Sequence, residues 1–332
     1  MWWRTRFCVS ACLVYFSWLP SESRPLSQRY AWQSISGANV RARMPLNYLV
    51  QNDSAACKDG IGNLPLVSVI TPCFNAKKFL PSLLSCVESQ DFQLEHIIVD
   101  DCSDDGSWSE LEALSRGRPW LKIHRLECRS GPIVARNKAI ELAQGRFLAF
   151  LDADDLWLPC KTKRQVAFMV ESQCGISFTD YRHMSEDGTR VGRLLRGPSR
   201  IGLTLHHTTR FMGCLTVVIN RDVVKDFRFP EINPSVRAED FLAWSRVIRF
   251  YGPAFRCPGD FARYRVVKNS RSSSKFKASL SVWRLYYVVE GLPGWKAGCF
   301  FILFLIFSAW KRLLYSPRLY VSGDASVVKY RL

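Results

Sequence analysis

The folds open to this 332-residue chain are limited most by an alternation of short β-rich runs, ending abruptly in acidic or turn-forming residues, with segments of helical period. Leu66-Val67-Ser68-Val69-Ile70-Thr71 reads as a strand that stops at Pro72. From Lys77 to Ser89, Phe79, Leu80, Leu83, Leu84 and Val87 recur at helical spacing, with Pro81 early enough for a first turn. His96-Ile97-Ile98-Val99 is a second strand, ending on Asp100-Asp101 and a turn-rich stretch to Ser107. Strand, helix, strand implies a parallel pair. The pattern continues with a strand over 121–126, a helix over 134–143 closed by Gly145, and a buried-looking strand from Arg146 to Leu151. After Pro159 it gives a helix to about Glu171, strands over 175–181 and 214–220, and a helix from about Asp240 to Tyr251. A doubly wound α/β fold follows.

In open parallel sheets ligands sit beyond the carboxyl ends of the strands, so the residues ending each strand carry the chemistry. Here those ends are Thr71-Pro72-Cys73-Phe74-Asn75, then Asp100-Asp101, then Asp152-Ala153-Asp154-Asp155. Read as an extended segment, Asp152 and Asp154 face one way and converge on a single ion, while Asp155 points elsewhere. Hard oxygen ligands of this kind suit Mg²⁺ or Mn²⁺, with a diphosphate completing the shell. The competing reading of the same residues is an acidic turn capping the helix after Pro159.

Taken together, VSVITPCFN, HIIVDDCSDDGS and ARNKAIELAQGRFLAFLDADD, in that order and at these separations, resemble the family 2 glycosyltransferases between Val67 and Arg164, and more loosely to about Lys275. The resemblance implies a GT-A nucleotide-sugar-binding fold: a Rossmann-like mixed sheet flanked by helices. It implies that Thr71, Pro72, Phe74 and Asn75 cradle a nucleoside, and that Asp101, with Asp100 beside it, accepts a hydrogen bond from the base. An Asx turn is the other role open to this loop. Gly131 to Asn137 matches the family's turn into a helix whose amino-terminal N–H groups face the donor, with Arg136 as the cation there unless it is a solvated surface residue. Glu239-Asp240 matches the acidic pair that precedes a helix, Asp240 being the implied base and helix capping its alternative. A helix start is expected to favour the ionised form of Asp240. Arg265, Lys268 and Arg271 fall in a basic, Ser-rich segment after the last strand that resembles a lid over the donor phosphates, and that also reads as a solvated charge run. The Gln-x-x-Arg-Trp motif of processive members is not found, so one sugar per encounter is expected. A UDP-sugar donor, a divalent metal and an inverting displacement complete what the resemblance implies. An Asp-x-Asp phosphohydrolase and a non-catalytic nucleotide-sugar-binding protein are the alternatives, the former disfavoured because the motif follows the fourth strand, not the first.

Charge and hydropathy bear on location. The formal net charge of +17 is uneven: residues 261–332 hold thirteen Lys and Arg against Glu290 and Asp324. A basic stretch beside apolar sequence points to lipid headgroups rather than nucleic acid. Ala297 to Trp310 is an apolar run of fourteen residues, about 21 Å of helix, short of the ~30 Å hydrocarbon core. It is expected to lie in the interface, with a core or oligomer helix as the alternative. Twelve cysteines without a CxxC pair read as free thiols of a reducing compartment, so the expected location is cytoplasmic, peripheral on the inner face of the membrane. Arg4 and Arg6 before an apolar run to Leu19 outline a leader or anchor, or precede a true start at Met44. The expected division is a poorly defined extension over 1–63, a transferase domain over 64–275 and a membrane-associating tail over 276–332. The acceptor expected is a glycan or a lipid-linked glycan. His206-His207 lacks the spacing of a zinc site and has no assigned role.

Overall fold

The computed structural model describes residues 66–231, 238–267 and 282–315. The leader or anchor expected before residue 64, and the lid candidates Lys268 and Arg271, lie outside those residues. Ten strands form one mixed sheet in the order β3-β2-β1-β4-β9-β6-β10-β5, with β7 (Val191–Leu195) pairing β6 and β8 (Arg200–Ile201) pairing β10. β1 (Val67–Cys73), β2 (Leu94–Asp100), β3 (Leu121–Arg125) and β4 (Phe147–Phe150) run parallel and form the half that the sequence pattern anticipates. β9 (Val218–Asn220) turns antiparallel to both β4 and β6 (Ile176–Ser185). β10 (Ala254–Val266) runs parallel to β6 and antiparallel to the short β5 (Leu156–Trp157).

β1 is central in the sheet and covered by helices on both faces, which is why its sequence is rich in Val, Ile and Thr. Its residues alternate between two cores. Val67 and Val69 pack with α1 (Leu80–Glu88), α2 (Ser107–Ser115) and α4 (Lys161–Ser172); Ile70 packs with α3 (Pro132–Leu142) and α6 (Glu239–Tyr251). On the second face Phe150, Phe227, Phe229 and Trp244 meet edge-on and stacked, with ring centroids 5.3–5.8 Å apart.

Three of the differences from the sequence reading bear on the site and its surroundings. α2 follows the Asp104-Asp105-Gly106 turn, where only a loop is expected, and Asp105 fixes its start by accepting from the Ser107 N–H and Oγ. β10 runs through 254–266, a stretch given no element of its own in the sequence pattern and overlapping at Arg265 the segment that resembles a lid. Its strand pattern is hidden by a bulge at Pro258-Gly259, where the register against β6 shifts and Gly259 takes a φ of 146° with the Phe261 ring packed against it. The C-terminal apolar run extends to α7 (Gly294–Tyr315), 22 residues and so about 33 Å long. α7 is docked, packing on α5 (Leu203–Thr209) and β7. Ala297 and Phe304 are buried with Phe241, Leu242 and Tyr286, while Ile302, Leu305, Ile306 and Leu313 remain exposed on the opposite side.

Buried histidines add a pH dependence. His96 bonds Thr71 Oγ1 through Nε2 at 2.8 Å, and burial holds its pKa down to about 3. Unfolded, it titrates near 6.5. Between these values the unfolded chain binds the extra proton, so the stability contributed by neutral His96 is full above about 6.5 and erodes as pH falls. The unfolding free energy of the wild type relative to H96Q is expected to shrink by about 2 kcal/mol between pH 7 and pH 5 in urea titrations.

Candidate active site

Because β1, β2 and β4 are adjacent and parallel, their carboxyl ends open on one edge of the sheet. The loop after β1 is set by the loop after β2: Asn75, at a φ of 50°, donates its N–H to Ser103 Oγ and accepts from Asp104 N–H through Oδ1. Pro72 and Phe74 are half-buried, and the Arg129 guanidinium lies 4.1 Å from the Phe74 ring centroid. Thr71 is different from the expectation of a cradle residue, since its hydroxyl is buried beneath this loop on His96.

The paired aspartates after β2 divide their work. Asp100 is fully buried and makes the Asx turn, accepting from the Ser103 N–H at 3.1 Å and from Ser103 Oγ, with Arg125 at 3.4 Å. Asp101 accepts from the N–H groups of Ser130 at 2.6 Å and Gly131 at 2.9 Å. It thus holds the turn into α3, where Gly131 takes a φ of 91° and Pro132 occupies the first helical turn. These amides, expected to face the donor, are engaged by Asp101.

One turn into α3, Arg136 is buried and not on the solvated surface. Its Nη2 donates to Asp152 Oδ1 at 2.6 Å, its Nη1 lies 3.5 Å from Glu239 Oε1, and its guanidinium lies 5.4 Å from the Phe229 ring centroid. Asn137 beside it clips the approach to Phe229, donating to the Phe229 carbonyl and accepting from its N–H. The strand-end acid of the first half and the acidic pair of the second are therefore joined through one side chain.

The segment 152–155 is a turn closed by the Asp155 N–H on the Asp152 carbonyl, not the extended stretch assumed from spacing. Asp152 and Asp154 are still neighbours: burial first, and then the Asp152 charge, push the Asp154 carboxyl up to about 6. Asp155 turns into the protein and accepts from the Arg265 backbone N–H at 2.9 Å; burial, Asp154 and Asp152 raise its pKa well above the usual range. Arg265 is a correction to the lid expectation. It lies in β10, 8% exposed, with Nε on the Asp154 carbonyl and Nη1 on the Glu186 carbonyl, so it braces the acidic turn.

Among the described residues no three His, Cys, Asp or Glu side chains gather to hold a metal. A hard divalent cation does not need such a set, since Mg²⁺ is held through one or two carboxylates with phosphate and water as the other ligands. The crowded pair at 152 and 154, with Asp154 displaced toward its neutral form, is a donor set such a cation would relieve.

Asp240 stands in the first turn of α6 but is not its N-cap, a position taken by Ala238; its Oδ1 accepts from the following N–H, that of Phe241. Its pKa is raised, by burial first and by Glu239 second, which reverses the expectation drawn from the helix start. Burial, helped by the adjacent Glu239 charge, outweighs the modest helix-end stabilisation of the carboxylate. His206 and His207 are buried on α5; burial holds them to about 3 and about 4, and His206 stacks on Phe241 with ring centroids 4.4 Å apart. They are packing residues. Sequence reading missed Ser103, Asp105 and Ser107, which lock the first two loops, and Arg210, Tyr181 and Lys311 around α6. The Asp-Asp-Gly-Ser turn is a readable signal for the first group. None exists for the second, whose members are distant in sequence.

Residues 68–228 match the profile of glycosyl transferase family 2. The chain is 37% identical over 250 residues to the putative teichuronic acid biosynthesis glycosyltransferase TuaG of Bacillus subtilis, covering 75% of this chain and 98% of that protein. It is 31% identical over 239 residues to the UDP-Glc:alpha-D-GlcNAc-diphosphoundecaprenol beta-1,3-glucosyltransferase WfgD of Escherichia coli, covering 68% of this chain and 91% of that one. In fold it is similar to S. aureus TarS solved with UDP-GlcNAc, with a TM-score of 0.55 at 24% identity over 74% of each chain. The mannosyltransferase PcManGT of Pyrobaculum calidifontis, solved with GDP-Man and Mn²⁺, gives 0.54 at 16% identity over 81% of this chain and 86% of that one.

Removing the Arg136 guanidinium takes an ion-pair partner from each of two partly buried carboxylates, Asp152 and Glu239. R136M is expected to destabilise the protein by about 2 kcal/mol, a Tm fall of about 4–8 °C by calorimetry.

Proposed function

The chain belongs to glycosyl transferase family 2, and we propose that it transfers a sugar from a UDP-sugar to a lipid-linked or glycan acceptor, with inversion, in the synthesis of a cell-surface polysaccharide. The observation that carries this reading is the Arg136 bridge from Asp152 to Glu239, which holds the donor edge within one side chain of the acidic pair. Pro72, Phe74 and Asn75 bound the nucleoside, Asp101 retains lone pairs for the base beside its amide contacts, and Arg136 supplies positive charge beside the diphosphate.

The roles follow from charge and position. Asp240 takes the proton of the acceptor hydroxyl, and the freed oxygen attacks the anomeric carbon as the bond to the diphosphate oxygen breaks on the opposite face. A raised pKa makes Asp240 a stronger base than a free aspartate. Asp154 and Asp152 would hold Mg²⁺ or Mn²⁺, which when bound supplies Lewis-acid stabilisation of the leaving diphosphate. Arg265 and Asp155 keep Asp154 in place. For location, α7 is the one described helix long and apolar enough to cross a membrane, but one of its faces is packed on the protein. It is read as lying on the inner membrane surface, with its exposed apolar face in the acyl boundary. A diphosphoundecaprenol-linked acceptor, as in the printed activity of the WfgD relative, fits that placement. Nucleic acid has no role in this reading.

A panel of nucleotide sugars with Mn²⁺, scored by release of nucleoside diphosphate and by transfer, tests it. D154A is expected to remove turnover, and D240N to lower kcat by about 10²–10⁴-fold with UDP affinity retained. Near-normal transfer by D154A would overturn the metal assignment, and weakened UDP binding in D240N would overturn the base. Because Glu239 raises the Asp240 pKa, the acid limb of the pH–kcat profile is expected to move to lower pH in E239Q.

A further inference from the structure

Two cations beside the base have no part in the donor chemistry. Arg210 ends α5 with a φ of 48°, and its guanidinium lies 5.0 Å from the ring centroids of both Phe241 and Phe304. Its Nε and Nη2 are buried without a hydrogen-bond partner. Lys311, on α7, donates from Nζ to the Arg210 carbonyl at 2.8 Å and lies 3.4 Å from the Tyr181 hydroxyl. Among the described residues neither cation forms an ion pair. Asp240 is near enough to feel the Arg210 charge, yet lies beyond ion-pair distance of it. Burial, and then Arg210, push the Lys311 pKa down to about 7. A buried guanidinium with idle donors, next to a second cation that it repels, is a costly arrangement unless an anion joins them.

The surroundings say which anion. Arg210 packs on Phe241, the neighbour of Asp240 in α6, so the cation pair is one residue from the group that receives the acceptor's proton. On the other side Lys311 belongs to the helix whose exposed face carries Ile302, Leu305, Ile306 and Leu313. A ligand that fits is a sugar at Asp240, an anionic link at the cations and a hydrocarbon chain along α7.

We infer that Arg210 and Lys311 form a second anion site, separate from the donor diphosphate site at Asp152 and Asp154, which holds the diphosphate of a lipid-linked acceptor while its chain follows the exposed face of α7. The inference rests on Asp240 being the base of the proposed transfer, and it deepens that reading by naming the acceptor's class and its contacts. Arg210, with planar paired donors, and Lys311, as a point charge, suit non-bridging phosphate oxygens. Binding there gives the idle donors of Arg210 their partners.

The test uses the full chain and three probes: a short-chain polyprenyl diphosphate sugar, the same sugar as a phosphate-free alkyl glycoside, and inorganic diphosphate. In R210M and K311M, KM for the diphosphate acceptor is expected to rise at least tenfold, with R210K intermediate. KM for the glycoside and UDP affinity are expected to stay within twofold, and unchanged melting curves would show that the variants fold. Inorganic diphosphate is expected to raise the KM of the diphosphate acceptor in the wild type and to lose that effect in both variants. Equal loss with both acceptors, or unchanged KM with both, would overturn the inference. So would variants that lose binding to anionic vesicles while keeping the acceptor KM, because the cations would then serve headgroups. D240N separates the two levels: if it transfers normally the base reading has failed, whereas an inactive D240N beside variants of normal KM sinks the anion site alone.

Discussion

A guanidinium that has lost its water must be surrounded by negative charge, and Arg136 meets that demand with two acids from opposite halves of the chain. Asp152 comes from the turn after β4, and Glu239 from the start of α6. Burial works against the charged form of Arg136, but the charges around it, Asp152 foremost, outweigh it and hold the cation more firmly than in water. The helix that carries it is anchored on both sides: Asp101 grips the turn before it, and Asn137 ties it to Phe229. The position of the second half against the donor edge is thus specified by polar contacts, while the Phe150, Phe229 and Trp244 cluster beneath supplies the apolar contact area.

The acidic turn at 152–155 is a second constraint of the same kind. Three carboxylates in four residues repel, and the fold answers by giving each a different surrounding. Asp152 has Arg136, Asp155 turns inward onto the backbone N–H of Arg265, and Asp154 stays beside Asp152, with burial and then the Asp152 charge displacing its carboxyl upward. β10 is what makes the division possible, since Arg265 braces the turn from the far side through the Asp154 and Glu186 carbonyls. Arg265, which the family resemblance casts as part of a closing lid, is therefore part of the floor.

What was legible in the sequence was the half governed by local rules. Parallel strands buried on both faces show as apolar runs, and the acids that end them stand out, so β1, β2, β4 and their loops were readable. β10 was not, because a bulge at Pro258-Gly259 breaks its alternation, and α2 was not, because its apolar face is short. Thr71 and Arg265 show the limit at the level of single residues. Both belong to motif-like segments, and both are turned by long-range pairing, with His96 and with Asp154 and Asp155, into supports of the site. The ionisation of Asp240 was misjudged for a related reason, since a helix start is visible in sequence and the burial that outweighs it is not.

α7 connects these polar details to a surface. Ala297, Phe304 and Lys311, at intervals of seven, all face the protein, which fixes the helix's rotation and leaves its other side apolar and exposed. An exposed apolar stripe is costly in water, at roughly 25 cal/mol per Å², and that penalty vanishes where the stripe meets hydrocarbon. Since the packed side also holds Phe241 and Tyr286, the orientation of α7 sets the orientation of the first turn of α6 and of Asp240 within it. If α7 sits at a bilayer boundary as proposed, the apolar cluster it shares with Phe241 and Tyr286 also sets the height of Asp240 above that boundary.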